Sequence, residues 1–198
     1  MIITEKTLMK DVSAVVTVAE CAKFDLLAKC MEFPYPETLK GIKPKLFDDI
    51  SFGELTEMWD ETNSDNLIKL INEFMLFPVQ KMYKTIETFN KVWLPKCPLI
   101  NFYRFMGETL NRIGNTKKLF SELKINLTEE EKAAGYGAEG MDSKITMLFA
   151  YSTRMGIDVR EAEKIPWPII YTYFKIEIDD ANRQRKLNDI ILEKSKKK

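Results

Sequence analysis

Apolar residues recur every three or four positions along most of this chain, which is the spacing of one face of an α-helix. Residues 4–31 place Leu8, Val12, Val15, Val16, Ala19, Ala22, Leu26, Leu27 and Cys30 on such a face. β-Branched residues crowd positions 12–18, so an extended conformation at 14–18 is the alternative there. Phe33-Pro34-Tyr35-Pro36 ends this first helix, and Gly41-Ile42-Lys43-Pro44 keeps the chain irregular for a connection of about 17 residues, long for a compact domain. It either covers the core with Phe33, Tyr35 and Phe47 or reaches onto a neighbouring subunit. The central block opens at Ile50-Ser51-Phe52-Gly53-Glu54-Leu55. There Ser51 and Glu54 have capping-box spacing, and Ile50 and Leu55 stand at the two positions of a hydrophobic staple. Helices are expected over 51–62, 65–77, 79–94 and 99–123, with breaks at Phe77-Pro78 and Leu94-Pro95-Lys96-Cys97-Pro98. Gly114-Asn115 is a candidate break in the last of these, where Asn115 or Thr116 would cap a new helix. Met75, Met82 and Met106, with Phe74, Phe89, Trp93, Phe102, Tyr103 and Phe105, read as core-filling side chains.

Thr128 and Glu131 repeat the capping spacing just before Gly135-Tyr136-Gly137-Ala138-Glu139-Gly140. Three glycines in six residues predict a hinge or surface loop. A phosphate-binding loop would need a preceding strand and a following Gly-Lys-Ser/Thr, and neither is there. Beyond the hinge, 141–155 reads as a helix with Ile145, Leu148, Phe149 and Ser152 on one side, ended by Gly156. Asp158 and Glu161 cap a short helix. Ile165-Pro166-Trp167-Pro168 then opens a final helix to about residue 194, with Pro168 suited to its first turn. Its apolar surface is wide at Ile169, Ile170, Tyr173, Phe174, Ile176 and Ile178, then narrows to a stripe through Leu187, Ile190 and Ile191. The predicted fold is all-α, a multi-helix bundle of about seven to nine helices with a projecting C-terminal helix. Four parts are expected: an N-terminal helix and Pro-rich arm (1–49), a central helical core (50–125), a Gly-rich hinge (126–140) and a C-terminal helical module with a basic tail (141–198).

Composition narrows the chemistry. Hydrophobic residues make up 45% of the 198 and charged residues 30%, with eight Gly and eight Pro, the balance of a helix-rich globular chain. No apolar run approaches the roughly 18 residues of a membrane span, so no membrane partner is expected. The N-terminus lacks the basic start and apolar stretch of a secretory signal, which predicts synthesis and assembly in the cytoplasm. Cys21, Cys30 and Cys97 are odd in number and read as free, buried thiols. Histidine, the commonest general base and transition-metal ligand, is absent, and no CxxC pair takes its place. The expectation is therefore a non-enzyme with no catalytic residue, no cofactor and no metal.

Zero net charge conceals an asymmetry. Asp48, Asp49, Glu54, Glu57, Asp60, Glu61 and Asp65 follow one another with no Lys or Arg among them, whereas Arg183, Arg185, Lys186, Lys194, Lys196, Lys197 and Lys198 face only Asp189 and Glu193. Phosphate contact by the basic end is one use of that charge, but Lys near a helix C-terminus also complements the helix dipole.

The Ile-Ser-Phe-Gly-Glu-Leu entry at Ile50, the helical middle, Met155-Gly156-Ile157-Asp158, Ile165-Pro166-Trp167 and the charged closing helix together resemble small proteins of tailed bacteriophages. These are tail-assembly chaperones and the neck or ring proteins encoded near them, including those of crAss-like phages. The resemblance covers about residues 50–190 and carries no catalytic residues. It implies a virion structural protein, a neck, ring or tail connector subunit of a cyclic homo-oligomer that contacts other virion or tail-assembly proteins. The alternatives are a cytosolic tail-assembly chaperone and a DNA-binding protein. The interface expected from the charge asymmetry joins Asp48, Asp49, Glu54, Glu57, Asp60 and Glu61 of one copy to Arg183, Arg185, Lys186 and Lys194 of the next. Ile190 and Ile191 would supply apolar burial, and Trp167 would anchor the final helix in its own core or in a neighbour.

Overall fold

The computed structural model describes residues 34–80, 83–123 and 143–196. The expected helix at 4–31, with Cys21 and Cys30, and the Gly-rich hinge at 126–140 lie outside the described residues. Among those described there are seven α-helices and no strand: α1 Phe52–Asp60, α2 Ser64–Ile71, α3 Ile86–Val92, α4 Leu99–Ser121, α5 Ser143–Met155, α6 Val159–Ala162 and α7 Trp167–Lys196. The all-α fold is as the periodicity predicts. The described residues form two compact units, one of residues 34–50 and 54–116 without 81–82, the other of 51–53, 117–123 and 143–196. The border at Thr116/Lys117 falls inside α4.

In the first unit the connection ahead of α1 is built into the core. Leu39 and Ile42 exchange backbone hydrogen bonds of 2.7 and 3.0 Å around Lys40 and Gly41. Both of these residues have positive φ, 46° and 81°, which explains a glycine at the second place. Leu39, Phe47 and Ile50 are buried, and Lys45 N–H donates to the Met75 carbonyl at 2.8 Å. This segment thus covers the first unit's own core, with Tyr35 left partly exposed. Met75, Phe89, Trp93, Phe102, Tyr103, Phe105 and Met106 are all buried, and Phe89 stacks on Trp93 with ring centroids 4.7 Å apart. Cys97 is a buried free thiol.

Three helix boundaries differ from expectation, each for a local reason. Asn63, not Asp65, starts α2, because its side-chain oxygen accepts the N–H groups of Asp65 and Asn66 at 2.9 and 3.1 Å. The α-helix ends at Ile71 and continues as a π-helical turn, Asn72–Leu76, and a 3₁₀ turn, Phe77–Val79. Pro78 has no N–H to return to the preceding turn, so regular α geometry cannot run through it. The helix expected from residue 79 begins only at Ile86. Thr85 caps it by accepting the Thr88 N–H at 3.2 Å, and ahead of it the Gln80 side-chain amide bonds both the N–H and the C=O of Tyr83. The candidate break at Gly114 does not form: α4 is continuous. Buried Ile113, Thr116 and Phe120 carry one face across the glycine, and the Thr116 hydroxyl bonds back to the carbonyls of Arg112 and Ile113 at 2.9 Å rather than capping a new helix.

The second unit has a smaller core around rings and one close backbone approach. The N–H groups of Phe52 and Gly53, at the start of α1, donate to the carbonyls of Ile165 and Glu163 at 2.8 and 2.9 Å. A Cβ on Gly53 would stand 3.2 Å from that Glu163 oxygen, a contact that one of the two segments would have to relieve by a few tenths of an ångström. Asp158 caps α6 by accepting the Arg160 N–H at 2.8 Å, as the spacing predicts.

Candidate interaction surface

The first turn of α7 contains Pro168, whose missing N–H costs nothing at a helix start. From there one face turns inward: Trp167 and Ile170 are buried, and Tyr171, Phe174, Ile178, Ala181, Asn182 and Arg185 are half-buried. Phe120 lies at the centre of this packing, with ring centroids 5.3 Å from Phe52, 6.4 Å from Trp167 and 5.3 Å from Tyr171. Trp167 therefore anchors α7 in its own unit. The Tyr151 and Tyr173 rings meet edge to face at 5.1 Å, and Arg154 pairs with Glu177 at 3.6 Å, tying α5 to α7.

The opposite face of α7 is different. Ile169, Ile176, Leu187, Ile190 and Ile191 are 42% to 56% exposed, and every described side chain from Lys186 to Ser195 is exposed. Between α5 and α7 runs a groove of about 860 Å³, lined by Thr146, Phe149, Ala150, Thr153, Tyr173 and Phe174, with Phe149 itself 55% exposed. Arg154 and Glu177 complete its lining.

The charged residues expected at an interface are partly engaged locally. Asp48 and Asp49 are exposed on the 3₁₀ turn Phe47–Asp49, and Glu57 and Asp60 are exposed on α1. Glu54 pairs with Lys45 at 3.1 Å, and Glu61 accepts the Asn63 backbone N–H at 2.7 Å. On α7, Arg183 pairs with Asp180 at 3.3 Å, Arg185 is half-buried, and Lys186 and Lys194 are exposed. The acidic side chains from Glu54 to Glu61 belong to the first unit and the basic ones to the second.

A feature of the first unit escaped the charge reading. Lys40, Lys43, Lys45 and Lys96 line one cleft of about 1080 Å³ with Tyr83 and Trp93, and Asp49 is its one carboxylate. Three lysines in Lys40-Gly-Ile-Lys43-Pro-Lys45 were the available signal. Next to it, Glu108 bridges Arg104 and Arg112 along α4 at 3.4 and 3.2 Å. Burial raises the Tyr35 phenol above its usual pKa, against the opposing pull of the Arg112 guanidinium. Burial likewise pushes the Cys97 thiol up to about 12, with Lys40 opposing. Neither group is poised as a nucleophile, since the thiolate is the reactive form. Among the described residues no group of three or more His, Cys, Asp or Glu is placed to hold a metal ion, and no helix is long and apolar enough to cross a membrane.

No protein-family model, no curated protein and no solved structure matches this chain.

Proposed function

We propose that this chain is a non-enzymatic assembly protein, a structural subunit of a tailed-bacteriophage neck, ring or tail connector that works through protein-protein contacts within a homo-oligomer and with other virion or tail-assembly proteins. The observation that carries the assembly role is the outer face of α7, where Ile176, Leu187, Ile190 and Ile191 are 42% to 56% exposed on a 30-residue helix. Leaving these side chains in water forgoes roughly 25 cal/mol per Å² of apolar surface that a partner would recover. The phage setting rests on the sequence pattern at Ile50, Met155 and Ile165 alone.

Two measurements test the reading: the mass of the purified protein in solution, and its copy number in purified particles. A discrete oligomer in solution and a fixed copy number in mature particles are expected. Presence during assembly but absence from finished particles would instead identify a tail-assembly chaperone, which would hold a client with the same apolar face. DNA contact is favoured by one observation of its own, the four lysines around the cleft of the first unit. It requires affinity for duplex DNA that falls steeply with salt.

A further inference from the structure

The outer face of α7 has an internal symmetry that identifies what covers it. Ile169, Tyr173, Ile176, Asp180, Arg183, Leu187, Ile190 and Lys194 follow one another at alternating spacings of four and three, the seam of a two-stranded coiled coil. All are exposed except Tyr173, which is half-buried with its ring against Tyr151 of α5, and the others lie opposite the inward face through Ile170, Phe174 and Ile178. The seam reads apolar, apolar, apolar, acidic, basic, apolar, apolar, basic. Its spacing is unchanged by reversal about the point midway between Ala181 and Asn182.

We infer that α7 pairs antiparallel with α7 of a second copy across this seam, forming a twofold dimer. Under that reversal Asp180 faces Arg183 of the second copy, and Arg183 faces its Asp180, so two reciprocal ion pairs occupy the centre. Ile176 faces Leu187, Tyr173 faces Ile190, and the Lys194 stem lies over Ile169 with its ammonium reaching water. The flanking row carries Asp179 and Lys186, both exposed and of opposite sign across the same axis. A parallel pairing sets Asp180 against Asp180 and Arg183 against Arg183, so the two central charges select antiparallel orientation and register together. The same alignment carries Ile190 and Ile191 of the second copy to the level of Tyr173, at the mouth of the groove that leaves Phe149 exposed. The seam spans about 38 Å at 1.5 Å per residue. The 3.3 Å Asp180–Arg183 pair within one helix is the arrangement of the single chain, and pairing lets each charge turn to its partner across the axis. This inference rests on the reading of α7 as the contact element but not on the phage setting, and it replaces docking against the acidic Asp48 to Glu61 region as the use of Arg183.

The test is sedimentation equilibrium of the full chain and of two charge variants whose folding is first verified by circular dichroism. The wild-type protein should show a concentration-dependent dimer. Asp180→Arg gives a chain with two central cations and Arg183→Asp a chain with two central anions, and each should dimerise at least roughly tenfold more weakly, as like charges meet. Mixed one to one, the two variants should form a heterodimer at near wild-type affinity. Leu187→Lys with Ile190→Lys should give a monomer. A wild-type monomer at high micromolar concentration overturns the inference, as does a variant mixture that stays monomeric. Strengthened association of Asp180→Arg also overturns it, because added positive charge would favour docking on the acidic region. A monomer in solution that is nevertheless found at fixed copy number in particles sinks the pairing and leaves only the virion role of the proposed function standing, whereas a dimer absent from particles keeps the pairing and sinks the virion role.

Discussion

The two units divide apolar residues in opposite ways. Of the buried apolar side chains among the described residues, eighteen belong to the first unit and seven to the second, whereas four of the exposed large ones belong to the first and ten to the second. The first unit spends its apolar residues on its own interior, including those of the long connection ahead of α1. The second holds a small ring cluster and leaves most of its apolar surface outside. Helical stability comes mainly from packing an apolar face rather than from propensity, so the exposed apolar side chains of the second unit add little to its own packing. Six of the second unit's ten exposed large apolar side chains are on α7.

The largest effect that would sharpen this contrast comes from Cys97, deep in the first unit. Both states keep the thiol neutral at pH 7. As pH rises above 9.0 the unfolded thiol ionises while the folded one stays protonated to about 12, so folding stability falls across that window. At pH 11, two units above the unfolded thiol, the loss is at most about 3 kcal/mol, and it approaches about 4 kcal/mol only near pH 12. Urea denaturation at pH 8 and 11 should show a steeper loss for the wild-type protein than for Cys97→Ala, and equal slopes would mean that the first unit admits water to this position. In the second unit, Trp167→Ala should cost about 3 kcal/mol or more, since few other side chains share its load. An unchanged denaturation midpoint would show that the ring cluster around Phe120 is not what holds α7. Gly53→Val should cost about 1 to 3 kcal/mol by forcing a side chain against the Glu163 carbonyl; a neutral result, read by thermal unfolding, would mean that the Glu163–Ile165 chain yields freely. Smallest is Ser51→Ala, at about 1 kcal/mol, the usual cost of an N-cap side chain. Equal midpoints in chemical denaturation would leave the start of α1 to the Ile165 and Glu163 carbonyls alone.

Local patterns were legible where one side chain decides. Asp158 caps α6 and Pro168 sits in the first turn of α7 as read from spacing, because capping and φ restriction act within three or four residues. The start of α3 at Ile86 is decided by the Thr85 hydroxyl accepting the Thr88 N–H, a signal in the sequence that the reading of 79–94 as one helix left out. The charge asymmetry between Asp48–Asp65 and Arg183–Lys198 was legible as well, but not that Glu54 pairs with Lys45 and Arg183 with Asp180.

The sequence by itself determined that the chain is helical, where most helices begin, and that α7 carries an apolar stripe, since these follow from periodicity and from bonds between near neighbours. Tertiary structure decided which side of α7 that stripe occupies relative to its own core. The inward positions Ile170, Phe174 and Ile178 and the outward positions Ile169, Ile176 and Leu187 are equally apolar, and only packing against Phe120 and α5 makes one set interior and the other surface. It also decided that α4 runs through Gly114. A cost of about 1 kcal/mol relative to Ala is outweighed once Ile113, Thr116 and Phe120 are all buried along the same side, and no window of a few residues contains that information.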